Sequence, residues 1–164
     1  MIILVYNMNM KKVIFVCRGN VIRSQICKAL YNKLSTNGSS AEGYGFEVEK
    51  DGNEGVKLSE HEYLSNLVKI MKEYDMDISN EISKQLIENM LRDNPKVIIM
   101  GSKSNIPDWM DKYDYEYWND CTNEKEKNKD FNLNIPVPKF GDEKDIRDTI
   151  TFLKQKVKNL IMNN

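Results

Sequence analysis

Val16-Cys17-Arg18-Gly19-Asn20-Val21-Ile22-Arg23-Ser24 places a nucleophile, a tight turn and a cation within one short stretch. Cys17 ends a run of β-branched and aromatic residues, and Arg23 opens a segment with helical spacing. Backbone N–H groups between a strand end and a first helical turn can converge on one point and form an anion nest. Gly19 lets the backbone turn sharply, and Asn20 tolerates a left-handed conformation. Arg23 can offer a planar fork to two oxygens of a phosphate. The same positive field favours thiolate over thiol at Cys17. A thiolate beneath a bound phosphate is placed to attack phosphorus. Ser24 can donate a hydrogen bond to that thiolate, which also helps it leave later. The plainer reading of Cys17 is a small buried residue at a strand end.

The elements that must position this loop follow from periodicity. Lys12–Cys17 reads as a fully buried strand. In Arg23–Leu34, apolar residues at 26, 29, 30 and 34 give one helical face. A second strand is expected near Tyr44–Val48. A helix over Ser59–Tyr74 would be opened by a capping box of Ser59 and Glu62. Ser79–Arg92 reads as another helix and Lys96–Gly101 as a second clear buried strand. Asn105–Lys112 reads as a helix with Pro107 in its first turn. Tyr113–Trp118 is a third strand candidate, and Asn119–Asn134 a polar, lysine-rich loop. Asp142–Met162 reads as a long helix with Ile146, Ile150, Leu153, Val157 and Leu160 inward. Buried strands alternating with helices indicate an α/β fold, a three-layer αβα sandwich around a four-stranded parallel sheet. In such sheets ligands bind beyond the carboxyl ends of the strands, where the 18–22 loop lies.

The 164 residues suit one domain over 12–164, preceded by an N-terminal extension over 1–11 or an upstream start before Met10. With 40% hydrophobic and 30% charged residues the chain reads as globular, not disordered. A net charge of −1 supplies no single-sign field for nucleic acid or anionic lipid. No apolar run approaches the roughly 20 residues that span a bilayer. Cys17, Cys27 and Cys121 have no metal-type spacing, and the one histidine, His61, lies at an expected helix start, exposed to solvent. A reduced, cytoplasmic protein without metal or cofactor is the expectation.

The loop resembles the phosphate-binding loop of the low-molecular-weight protein tyrosine phosphatases, which share their fold with thioredoxin-coupled arsenate reductases. In that family a strand leads into Cys-x-Gly-Asn-x-x-Arg-Ser, as Val13–Ser24 does here. The similarity continues through Ser40-Ala41, Met76-Asp77-Ile78-Ser79, Ser83-Lys84-Gln85-Leu86, Lys96–Met100 and Pro138-Lys139-Phe140-Gly141. It implies Cys17 as nucleophile and Arg23 as transition-state ligand. It implies Arg18, Gly19, Asn20, Val21, Ile22 and Ser24 as the phosphate-binding loop. The implied substrate is a phosphorylated protein or a small phosphomonoester.

Departures from the pattern are specific. The family's general acid is the aspartate before the proline, and here that position is Val137. A valine cannot donate a proton, so no general acid is assigned; Asp120, Asp130 and Asp142 are candidate substitutes. Lys139 replaces a pocket-rim aromatic, and Phe140 remains. The family often has a histidine supporting the loop asparagine; Glu81 takes that place. Arsenate reduction needs further thiols to resolve its first adduct, and Ser83–Asn94 contains none. The slot of a redox partner inside the loop is Ile22, Cys27 is expected in the core, and Cys121 lies in the polar loop. The leading expectation is a phosphomonoester hydrolase with a phosphocysteine intermediate. The rivals are an arsenate reductase of the same fold and a phosphate- or phosphoprotein-binding protein that has lost turnover with its acid.

Overall fold

The computed structural model describes residues 12–118 and 142–163. The extension over 1–11, Cys121, Asp120, Asp130 and the segment around Val137, Lys139 and Phe140 lie outside them.

Val13–Cys17 forms β1, buried along its whole length. It lies at the centre of a four-stranded, wholly parallel sheet with β2 (Ala41–Gly45), β3 (Lys96–Ile99) and β4 (Glu116–Tyr117), in the order β2-β1-β3-β4. A strand buried on both faces explains why its sequence is a continuous apolar run instead of an alternation. Side chains still alternate in direction. Val13, Phe15 and Cys17 join one core cluster, and Ile14 and Val16 join the other. In the first cluster Phe15 packs against Tyr31 and Trp118, with ring centroids 6.1 and 5.9 Å apart.

That first face is covered by three α-helices: α1 (Arg23–Leu34), α2 (Ser65–Glu73) and α3 (Glu143–Met162). All five expected inward residues of α3 are buried, and Asp142 caps it by accepting the Asp145 amide at 3.0 Å. The opposite layer is built, among the described residues, from the 3-10 helices Glu88–Leu91 and Asp108–Lys112, with Leu91 and Met110 buried beneath the sheet.

The second strand, expected near Tyr44–Val48, lies at Ala41–Gly45, and three further expectations change. Residues 58–64 form two 3-10 turns, so the Ser59–Glu62 capping box does not form and the α-helix starts only at Ser65. The cause is tertiary: the amides of Leu58 and Ser59 donate to the carbonyls of Glu81 and Ser79. Ser79–Arg92 is not an α-helix. Lys84 and Leu86 exchange backbone bonds with Gly45, and Ser83 with Gly55 and Val56, which holds 81–86 extended. Such pairing between distant segments leaves no periodic trace in the sequence. Asn105–Lys112 resolves into short 3-10 turns, with Pro107 as the cap of the second instead of a first-turn residue.

The end of β1 meets the end of β2 tightly. A Cβ on Gly45 would stand 2.6 Å from the Arg18 carbonyl oxygen and 2.9 Å from the Asn20 amide nitrogen. Those atoms are loop backbone and cannot yield without moving the loop. Gly45→Ala is therefore expected to cost at least about 2 kcal/mol, lowering Tm by roughly 4–8 °C. Denaturant and thermal unfolding would check this, a wild-type midpoint being the contrary result.

Candidate active site

Between β1 and α1 the backbone reverses over the five residues 18–22. Asn20 carries the turn with φ of 52°, in the left-handed region that few non-glycine residues occupy. It is fully buried and held from every side. Its Nδ2 donates to Ser24 Oγ at 2.8 Å. Its Oδ1 accepts the Lys84 amide at 2.9 Å and Gln25 Nε2 at 3.2 Å. Its backbone carbonyl accepts Ser83 Oγ and Gln25 Nε2, both at 3.1 Å. Gly43 gives this cage room, since a Cβ there would lie 3.1 Å from Asn20 Nδ2.

Cys17 Sγ stands 3.0 Å from Ser24 Oγ. The hydroxyl oxygen already accepts from Asn20, so its own proton is available to a thiolate. Arg23 heads α1 and is buried, as are Ser24 and Gln25 beside it. The cap residue of α1 is Ile22, which has no acceptor, and the first turn carries no acidic residue. Among the described residues, no side chain caps the positive end of this helix.

Arg18 behaves differently. It is half exposed and pairs with Glu47 at 2.6 Å and Asp51 at 3.2 Å on the loop after β2. Burial alone would raise the Glu47 carboxyl, but its bonds from Arg18 and Lys50 outweigh that and hold it below the usual carboxylate range. Gly19 and Val21 are partly exposed at the turn, and Ile22 is buried.

The structure thus brings Cys17, Asn20 and Ser24 together, opens α1 with a buried Arg23, and turns Arg18 toward a separate acidic pair. Cys27 is fully buried in the core. Glu81 does not support the loop asparagine as the family's histidine does; it accepts from Lys28 at 2.8 Å. Asp142, one candidate acid, spends its carboxylate on the α3 cap. His61 is half buried instead of exposed, with its ring 5.2 Å from that of Tyr63. The sequence reading missed Gln25, Ser83 and the Lys84 amide. The sequence signals were a glutamine directly before the first apolar residue of the inward stripe of α1 and the family-like run Ser83-Lys84-Gln85-Leu86, neither of which names a bond to Asn20.

Residues 12–163 match the family model described as low molecular weight phosphotyrosine protein phosphatase. The chain belongs to that family. Among solved structures, it is similar to a low molecular weight protein tyrosine phosphatase from T. tengcongensis, with 24% identity, a TM-score of 0.64, and 94% of this chain and 99% of that one covered. An arsenate reductase in the phosphate binding state aligns at 26% identity, TM-score 0.64, over 94% of this chain and 98% of that one. Vibrio vulnificus Wzb in complex with benzylphosphonate aligns at 14% identity, TM-score 0.68, over 94% and 99%. No curated protein sequence gives a significant match. Phosphatase and reductase neighbours on one scaffold mark the chain as a member of a cysteine-based phosphatase and arsenate reductase fold. Among the described residues, no helix is long and apolar enough to cross a membrane.

If the loop holds an anion over Cys17, alkylation should sense it. Iodoacetate is expected to label Cys17 at neutral pH, with inorganic phosphate slowing the reaction at least about fivefold, and to spare Cys27 in the folded protein. Peptide mapping by mass spectrometry checks both. Phosphate-independent labelling of Cys17 would contradict an anion site at this loop.

Proposed function

We propose that the protein is a cysteine-dependent phosphomonoester hydrolase acting on phosphotyrosine-type esters. The observation that carries this reading is the contact of Cys17 with Ser24 inside a loop whose helix begins with a buried arginine. Family membership and neighbours described with phosphate or benzylphosphonate bound support a phosphate-type anion as the ligand of this loop.

In this mechanism the phosphoryl oxygens lie against the loop amides from Arg18 to Ser24 and the Arg23 fork. The Cys17 thiolate attacks phosphorus in line with the ester oxygen. The S–P bond forms as the P–O bond to the leaving group breaks, and that oxygen leaves as an oxyanion which solvent water protonates. Water then attacks the phosphocysteine, releasing phosphate and returning the electron pair to sulfur, where the Ser24 hydroxyl stabilises it. The loop amides and Arg23 hold the equatorial oxygens through both transition states, in the manner of an oxyanion hole. Arsenate reduction is the weaker reading: Cys27 is locked in the core, Ser83–Asn94 has no thiol to resolve an adduct, and the one further thiol, Cys121, lies outside the described residues.

Hydrolysis of p-nitrophenyl phosphate tests this. Cys17→Ser is expected to abolish turnover. Arg23→Lys keeps a charge but loses the fork, so kcat should fall roughly 100-fold or more, about 3 kcal/mol. Arg18→Lys should change it little, because Arg18 serves Glu47 and Asp51. Equal small losses at Arg18 and Arg23 would contradict the assignment. Because Val137 stands at the acid position, kcat/KM should fall steeply as the leaving-group pKa rises, and Val137→Asp should selectively improve the phosphotyrosine reaction. A flat dependence in the wild type would place an intact proton donor elsewhere.

A further inference from the structure

The Asn20–Val21 peptide is pinned on one side only. Its carbonyl oxygen, buried with Asn20, accepts from Gln25 Nε2 and Ser83 Oγ, each at 3.1 Å. Gln25 is 2% exposed and Ser83 0%. A trans peptide is planar, so its N–H points opposite to its carbonyl. With the carbonyl anchored inward, the Val21 N–H is aimed outward. The Gln25 amide also bonds Asn20 Oδ1 at 3.2 Å and the Ile82 carbonyl at 3.2 Å. It thereby ties loop, helix and the extended 81–86 segment at one point. These bonds fix the amide orientation and leave Gln25 Oε1 buried with no partner among the described residues. A side chain retained with one unsatisfied buried oxygen is a costly way to fill space. Glu81, at the place where the family often has its supporting histidine, is engaged with Lys28 instead.

We infer that Gln25, together with Ser83, is a positioning residue of the phosphate loop: the two hold the Asn20 carbonyl inward so that the Val21 amide meets the transferring phosphoryl group. The inference rests on the phosphatase reading above and adds to it a support built differently from the family's histidine. Removing either donor lets the Asn20–Val21 peptide tilt, and the loop loses the alignment of one amide directed at the equatorial oxygens. Since such donors act more strongly on the transition state than on the bound ester, the loss falls on kcat more than on KM.

The test compares wild type, Gln25→Met, Ser83→Ala and the double variant in the full-length chain. Methionine keeps the length of glutamine and removes its N–H groups, and Ser83→Ala is a second, smaller perturbation should the first unfold the protein. Thermal unfolding without ligand establishes that each variant is folded at the assay temperature. With p-nitrophenyl phosphate, Gln25→Met should lower kcat about 10- to 100-fold with KM within about threefold. Orthovanadate, whose five-coordinate form mimics the transition state, should lose inhibition in proportion to kcat. Ser83→Ala should act in the same direction, and the double variant should lose less than the product of the single losses, since both donors serve one carbonyl. Wild-type kcat and vanadate inhibition in folded Gln25→Met and double variants would overturn the inference, as would a rise in KM with kcat unchanged. A wild-type protein without turnover would instead overturn the hydrolase reading. Calorimetric vanadate affinity then decides the inference by itself: a loss of about tenfold or more in the variants supports it, and unchanged affinity overturns it.

Discussion

Holding a non-glycine residue in left-handed backbone costs energy that only surrounding contacts can offset, and in this protein the residue is Asn20. Its φ of 52° reverses the chain between β1 and α1. Without that reversal Cys17 and Ser24, seven positions apart, would not meet at 3.0 Å. Every polar group of the Asn20 side chain and its carbonyl is engaged. The partners come from the first turn of α1 and from the 83–84 segment some sixty residues away in sequence. The glycines at 43 and 45 on β2 make room for the same residue. Much of the fold on this side of the sheet is arranged around one buried turn.

This arrangement separates two arginines that the sequence places five residues apart. Arg23 is buried at the head of α1, beside the positive helix end. Arg18 leans out to Glu47 and Asp51, fastening the loop to the segment after β2. Exposed ion pairs of this type contribute under about 1 kcal/mol each, so that fastening guides the loop more than it stabilises the fold. One arginine is thus buried at a helix head and the other is paired at the surface.

Legibility in the sequence followed the range of the interactions. β1, α1 and α3 were readable because burial of a continuous run or of one helical face writes a period into the residues. The bounds of α1, Arg23–Leu34, agree with the reading, and α3 begins one residue after its cap. The loop was readable because its chemistry needs a thiol, a left-handed residue and a cation at fixed spacing. Residues 58–64 and 79–92 were not readable, because pairing with distant segments overrode local propensity there. Gln25 and Ser83 were missed for the same reason: nothing local to either residue says that both bond the carbonyl of Asn20.

The central claim is that Cys17 attacks phosphorus. Its most direct test is acid quenching of the enzyme within milliseconds of mixing with an aryl phosphate, followed by intact-mass and peptide analysis. The account predicts a phosphoryl group, about 80 Da, on the peptide containing Cys17 and its absence in Cys17→Ser. Product released with no adduct at any quench time, at substrate concentrations that saturate the wild type, would contradict covalent catalysis at this cysteine.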